Sequence, residues 1–313
     1  MDAWRRKIMF AWVAFLNGLL PYGAGNRLAA RTIRHLHPAL SKQQARWLSG
    51  LSRAVRDPQA QASAWRDFGK LFGVARLHAG LYAWNDRAWG ERCELTISGF
   101  ENIEQARALG RGALVMTFHH HLNMMFCTLL AGQGVPLNAV AFDNRQAARY
   151  QQVRARTDSI YLNAEQMLHG GELILVKPQG NARAILRAFQ KNQLVSSSFD
   201  FPDFFQDRNR LEYPFLDASL SCPTGVVKMA ITKQVPILSG YLDWRGGNRF
   251  AMVLRPISDG VSDTTVDDAM TQYLPIWKTW SGTNRAYGKG GSGSIRKADV
   301  MNFPCRYPCR RSA

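Results

Sequence analysis

Apolar residues run unbroken from Ala113 to Met116, and the stretch stops a few positions on at three consecutive histidines, His119, His120 and His121. A short continuous apolar run is the pattern of a strand buried on both faces. Helical spacing resumes after Asn123, so a strand is expected to hand over to a helix there. Upstream, Glu94-Leu95-Thr96-Ile97-Ser98 alternates like a strand, and Gly99-Phe100-Glu101-Asn102 turns into a helix that ends at Gly110. Downstream, Gly132 to Pro136 reads as a turn, Leu137 to Phe142 as a strand, and Asp143-Asn144-Arg145 as the opening of a helix. A helix from Gly180-Asn181-Ala182-Arg183 to Gln190 leads to a strand at Leu194 to Phe199. Pro223-Thr224-Gly225 then opens another helix, and Val235-Pro236-Ile237-Leu238 starts a further strand. Strands and helices repeating in this order predict an α/β fold.

Ahead of this alternation the pattern is helical. Asn26 to Arg56 reads as helices rich in Arg and Leu, with Ser41 and Gln44 forming a capping-box start. From Trp65 to Trp84, one helical face collects Trp65, Phe68, Phe72, Ala75, His78 or Ala79, and Tyr82, which predicts a core-facing helix. His78 on that face is expected to be a packed histidine rather than a catalyst. At the start, Trp4-Arg5-Arg6-Lys7 precedes a mostly apolar stretch, Ile8 to Leu20, closed by Pro21. A bilayer-crossing helix needs about 20 apolar residues, so this one is too short. A charged start also suits a signal peptide, for which Tyr22-Gly23-Ala24-Gly25 is a poor cleavage site. Trp4 and Trp12 beside Arg and Lys suit the headgroup layer instead, so residues 1–25 are expected to form an interfacial membrane segment. Beyond Trp280 no period survives, and residues 281–313 form a Gly/Ser-rich basic tail, either a disordered arm or an aberrant end. A single domain is expected between them, over 26–280.

At 313 residues and 46% hydrophobic, the chain has material for a substantial core. A formal charge of +17 with a pI of about 10.1 implies an acidic partner: nucleic acid, an anionic membrane surface or an acidic carrier protein. No zinc-finger, KH or RRM signature and no dense basic run is present, which sets nucleic acid aside. Mean hydropathy of −0.24, with no second long apolar run, agrees with attachment on a membrane rather than through one. The five cysteines, Cys93, Cys127, Cys222, Cys305 and Cys309, are odd in number and scattered, unlike a disulfide framework. Cys305 and Cys309 lack a second pair or a histidine at zinc-site spacing. A reducing cytoplasm is the simpler setting.

Ligands of open α/β sheets collect beyond the carboxyl ends of the strands, so His119, His120 and His121 are expected at a site mouth. A metal-binding tract lacks Cys or carboxylate at ligand spacing; packed structural histidines are the other bland reading. The stretch resembles the lauroyl/myristoyl acyltransferases of lipid A assembly, a bacterial branch of the lysophospholipid acyltransferase superfamily. Their strand end carries His, aromatic, Gly, Asn, aromatic, then Glu or Asp. Laying the family asparagine on Asn123 makes His120 the catalytic histidine, puts His121 and Leu122 at the aromatic and glycine positions, and drops the acid onto Met125. The other registers pair His119 with Met124 and His121 with Phe126, so none restores a carboxylate.

The resemblance continues, in order, to about Arg255. Its polar turn and Arg-x-Arg group are matched by Asn144, Arg154 and Arg156, with Asp158 where the family carries Gly. Paired guanidinium donors suit a phosphorylated sugar or a phosphopantetheine, although a solvated basic helix face is the plain alternative. Asp200 matches the aspartate of a Pro-Asp-Gln strand end, and Tyr213-Pro214-Phe215-Leu216-Asp217 is similar to a Pro-Phe-Phe-Gly turn. The implied fold is a glycerol-phosphate-acyltransferase-like domain with a mixed, mainly parallel sheet flanked by helices. The implied activity moves an acyl group from acyl carrier protein (ACP) or CoA to a hydroxyl of a lipid A-like glycolipid or phospholipid. It needs no metal or other cofactor, and would run at the cytoplasmic face of the bacterial inner membrane. His120 would be the general base. Met125 has no charge with which to orient it, leaving Asp200 or Asp143 as the nearest carboxylates by motif order, or Met125→Glu as a restoring change. The alternative is a catalytically silent homologue that binds acyl lipid or acyl carrier protein. A cytosolic serine hydrolase has no G-x-S-x-G to support it.

Overall fold

The computed structural model describes residues 2–36, 57–83, 86–118, 122–141, 154–176, 181–200, 210–215 and 218–280. Helices α1 (Asp2–Leu19), α2 (Tyr22–Leu36) and α3 (Pro58–Ala83) come first. After a 3-10 turn (Arg87–Arg92) follow β1 (Glu94–Ser98), α4 (Phe100–Ala108), β2 (Ala113–Thr117), α5 (Asn123–Ala131) and β3 (Leu137–Ala141). Then come α6 (Arg154–Gln166), β4 (Leu173–Leu175), α7 (Ala182–Gln190), β5 (Leu194–Ser198), β6 (Arg210–Phe215) and β7 (Ala218–Pro223). The described chain ends with α8 (Gly225–Thr232), β8 (Ile237–Gly246), β9 (Arg249–Ser258) and α9 (Val266–Trp280).

Seven strands pair in the order β1-β9-β8-β2-β5-β3-β4, and β6 pairs with β7 in a separate two-stranded sheet. β8, β2, β5, β3 and β4 run parallel; β9 returns antiparallel to β8, and β1 lies parallel to β9. The fold is therefore α/β with a mixed, mainly parallel sheet. Successive side chains of a strand point to opposite faces, and β2 divides accordingly. Ala113 and Val115 pack with Tyr82 of α3, Ile103 of α4 and Phe126 of α5, while Leu114 and Met116 pack with Phe189 of α7, Val227 of α8 and Met270 of α9. Helices thus cover both faces, which is why β2 reads as an unbroken apolar run. In β8, Gly240 makes room for α5: a Cβ there would meet the Phe126 ring at 2.5 Å.

The amino-terminal helices form a third cluster. Met9, Val13 and Leu16 of α1 are buried with Ala29 and Ile33 of α2 and Phe72 and Leu77 of α3. Most of the expected interfacial segment is therefore a helix with one side committed to the fold, and its other side exposes Phe15 and Leu19. No described helix is long and apolar enough to cross a membrane. α2 and α3 touch backbone to backbone at Gly73, where a Cβ would stand 2.3 Å from the Ala29 carbonyl oxygen.

Several expectations need correction. Tyr213, Pro214 and Phe215 lie in strand β6 rather than in a turn, and proline is tolerated there because the two-stranded sheet leaves an open edge. Leu216 and Asp217 are outside the described residues. α3 is buried well beyond one stripe, at Phe72, Val74, Leu77, His78, Leu81 and Tyr82, because α2 packs on one side and the sheet layer on the other. β4 and the body of α9 are additions: the first has only 3 residues, and the second carries Pro275 inside the helix. The capping-box residues Ser41 and Gln44 and the tail over 281–313 lie outside the described residues.

Candidate active site at the carboxyl ends of the parallel strands

The parallel strands finish along one edge, with Thr117 of β2 level with Ser198 of β5. β2 runs through Phe118 into His119, His120 and His121, which are outside the described residues, and the chain re-enters at Leu122 to open α5 with Asn123. This is the expected strand-to-helix junction. Asn123 is its structural hinge: its amide nitrogen donates to Ser198 Oγ at 3.0 Å, and its amide oxygen accepts from Thr117 Oγ1 at 3.3 Å. One half-buried side chain thereby ties the first turn of α5 to the ends of two neighbouring strands. Thr117 is held in turn through its carbonyl, which accepts from the Phe199 backbone N–H at 3.2 Å and from the Tyr273 hydroxyl at 2.5 Å.

Met125, two residues into α5 from Asn123, turns inward. It is 2% exposed and belongs to the core beneath the helix, among Val115, Tyr82 and Phe126. Asp200, which follows β5 through Phe199, is 6% exposed. Its charge acts on the opposite core: burial first, and the Asp200 charge next, push the Cys222 thiol up to about 12 and the Tyr273 hydroxyl well above its ordinary value. Asn123 and Asp200 are thus brought to the same strand edge, whereas the Met125 side chain is directed away from it. Asn144 and Asp143 lie outside the described residues. Arg154 and Arg156 open α6, and their side chains lie outside the described part.

Thr117, Ser198 and Tyr273 complete this edge and were not singled out from the sequence. For Thr117 and Ser198 the signal was a hydroxyl at the last position of a strand buried throughout, where a polar group needs a partner; Tyr273, in α9, carried no such signal. Below them Ser196 Oγ accepts from Cys127 Sγ at 3.6 Å. Burial pushes the Cys93 and Cys127 thiols up to about 11, so none of the three described cysteines supplies a thiolate near neutral pH. Among the described residues no group of His, Cys, Asp and Glu is arranged to hold a metal ion.

His78 lies away from this edge and is packed, as its helical face implied. It is 1% exposed, with Nε2 at 2.9 Å from the Tyr22 hydroxyl, which itself lies 3.2 Å from Cys93 Sγ. Trp89 and Phe250 meet its ring edge to face, at centroid distances of 4.8 and 6.1 Å. Burial, with Arg92 nearby adding to it, lowers its pKa to about 3, so it is neutral at physiological pH.

No family model matches the sequence, and no curated protein matches it. Among solved structures, the chain is similar to the 1-acyl-sn-glycerophosphate (LPA) acyltransferase PlsC from Thermotoga maritima. The identity is 11% and the TM-score 0.40, with 93% of this chain and 100% of that chain covered. Identity and TM-score are both too low to carry that protein's activity to this chain.

Proposed function

We propose that the chain is a membrane-surface acyltransferase of the lysophospholipid acyltransferase superfamily, moving a fatty acyl group from an acyl thioester of carrier protein or CoA to a hydroxyl of a lipid A-like glycolipid or phospholipid. The observation that carries this reading is Asn123: the residue that fixes the motif register at His120 also bridges the ends of β2 and β5. His120 stands three positions earlier in the sequence, between the end of β2 and the start of α5, and ligands of such sheets collect at the carboxyl ends of the strands. His120 takes the proton of the acceptor hydroxyl as its oxygen attacks the thioester carbonyl. The carbon–sulfur bond then breaks, and the proton passes to the departing thiolate. Asn144, Arg154 and Arg156 are the residues proposed to hold the phosphorylated acceptor or the phosphopantetheine. Asp200, rather than the core-directed Met125, is the carboxylate proposed to support the site.

The test is acyl transfer by the purified protein from acyl-ACP and from acyl-CoA to a phosphorylated glycolipid and to a lysophospholipid. His120→Ala is expected to lower turnover by about 10²-fold or more, the usual contribution of a general base, with His119→Ala and His121→Ala closer to wild type. Wild-type turnover in His120→Ala, with loss in either neighbour, refutes the register. One observation favours a second reading: an apolar Met125 where the family carries its acid suits a silent homologue that binds acyl lipid or carrier protein. Tight binding of acyl-ACP with no transfer to any acceptor supports that reading instead.

A further inference from the structure

β8 outlasts the strand it flanks. Met116 of β2 lies level with Ser239 of β8, and β2 ends one residue later at Thr117, whereas β8 runs on to Gly246. The extra length carries β8 past the carboxyl end of β2, where β9 is its remaining partner among the described strands. The register holds for one more step, since the Phe118 ring lies 6.3 Å from the Tyr241 ring. The next residue of β8 on the same face as Tyr241 is Asp243. The same count, carried along the sequence, sets Asp243 against position 120; residues 119–121 themselves are outside the described residues.

Each strand that flanks β2 thus carries a carboxylate past its end, Asp200 after β5 and Asp243 within β8. The two differ in what holds them. Asp200 is 6% exposed, and its charge acts on Cys222 and Tyr273 in the core. The Asp243 side chain is 31% exposed. Its carboxylate meets the Arg245 guanidinium at 3.1 Å and the Trp244 backbone N–H, both on β8, so neither contact ties it to another element. Burial raises its pKa above the ordinary carboxylate value against the Arg245 charge, and Asp67 of α3 adds a smaller push the same way. A carboxylate in that state gains from a further cation beside it. We propose that Asp243 is a positioning residue for the histidine tract, the carboxylate beside the imidazole at 120 in place of the acid missing at 125. It accepts the ring N–H, fixes the tautomer whose other nitrogen meets the acceptor hydroxyl, and stabilises the imidazolium that forms, without itself taking the proton. The role rests on the acyltransferase reading; the pairing does not.

Imidazole titration of the full chain by NMR reads the pairing with no substrate present. The His120 signals are those absent from His120→Gln, and His119 and His121 are assigned the same way. In Asp243→Asn the His120 imidazole is expected to titrate about one pH unit lower, because an opposite charge at contact range favours the charged ring and the amide removes it. Acyl transfer reads the role. Turnover of Asp243→Asn is expected to fall by about tenfold or more with KM for the thioester unchanged, and the acid limb of the pH–rate profile moves to lower pH with the weaker base. Asp243→Glu is expected to recover part of the loss. Arg245→Gln removes the ion pair but keeps the carboxylate, and is expected to leave turnover within about twofold of wild type. Circular dichroism confirms that each variant is folded. A His120 titration unmoved in Asp243→Asn, or a shift confined to His119 or His121, overturns the inference. Equal effects of Asp243→Asn and Arg245→Gln reduce Asp243 to half of a surface ion pair and overturn it as well. A shifted His120 in a wild-type background that transfers no acyl group upholds the pairing and refutes the acyltransferase reading; transfer with an unmoved His120 does the reverse.

Discussion

Asn123 shows how much of the site a single side chain can organise. Its amide uses both ends, so Asn123→Ala leaves Ser198 Oγ buried without its donor; destabilisation of about 1–3 kcal/mol is expected in urea titration, with transfer falling alongside. Met125→Glu, attractive from the sequence as a restored acid, reads differently at 2% exposure. A carboxylate there would be buried without a partner and its pKa would rise, so the variant is expected to lose several kcal/mol and gain no transfer. Asp200→Asn is expected to remain folded and lower transfer at least about tenfold; full activity would remove Asp200 from the proposed site. The handover from strand to helix at Asn123 was legible in the sequence because it depends on local pattern, whereas the inward turn of Met125 depends on where α5 lands. His78 offers a check on packing rather than catalysis. Its pKa is about 3 in the fold against an ordinary 6.5, so the unfolded chain binds the extra proton between those values. The contribution is complete above pH 6.5 and lost as pH falls toward 3. Denaturant titrations should show the wild type losing about 1–2 kcal/mol more than His78→Phe between pH 6.5 and 5, a window above most carboxylate titration. Equal pH dependence in the two proteins would mean that His78 is not held neutral by burial.

Elements were legible where local pattern and tertiary environment agree. β2 and β5 are enclosed by helices on both faces, so their interior positions needed no alternation to be recognised. α7 and α8 carried turn residues at their starts, and β8 followed a Val-Pro signal. Recognition failed where tertiary contact supplied what the local sequence withheld, as in the short β4, the proline-bearing α9 and the strand pair β6–β7. The last is anchored by buried Tyr213, whose hydroxyl donates to Asp267 at 2.8 Å. Close helix crossing was equally invisible. Gly73 and Gly18 both sit in helices and look alike in sequence, yet a Cβ at Gly73 meets the Ala29 carbonyl at 2.3 Å and one at Gly18 meets nothing within 4 Å. Gly18→Ala should therefore stabilise by about 0.5–1 kcal/mol, through the reduced freedom of the unfolded chain. Gly73→Ala should destabilise by about 1–3 kcal/mol by forcing α2 and α3 apart. Thermal unfolding of the two variants reads the difference in sign, and a stabilising Gly73→Ala would mean that α2 and α3 do not meet at this crossing.

At the scale of the whole molecule, net charge and exposed apolar surface bear differently on where a membrane would touch. α1 belongs to the helical cluster built on α2 and α3. Net charge alone, at +17, is read from composition and does not say where an anionic surface would touch. α1 supplies the missing location: Met9, Val13 and Leu16 are taken by the core, leaving Phe15 at 42% and Leu19 at 72% exposure, with the Phe15 ring stacked on Trp12. We propose that this outer side lies in the headgroup layer at the cytoplasmic face. Burying an exposed large apolar side chain contributes about 1.5–3 kcal/mol, and these two begin only partly exposed. Phe15→Glu with Leu19→Glu is therefore expected to lower partition onto both neutral and anionic vesicles by about tenfold or more. Raising the salt is expected to weaken binding to anionic vesicles and leave neutral ones nearly unaffected, because screening removes only the electrostatic part. The double variant retains the buried side of α1, so its unfolding should match wild type within about 1 kcal/mol, the range of surface changes. Unchanged partition in a variant that folds normally would mean that the outer side of α1 does not carry the membrane contact.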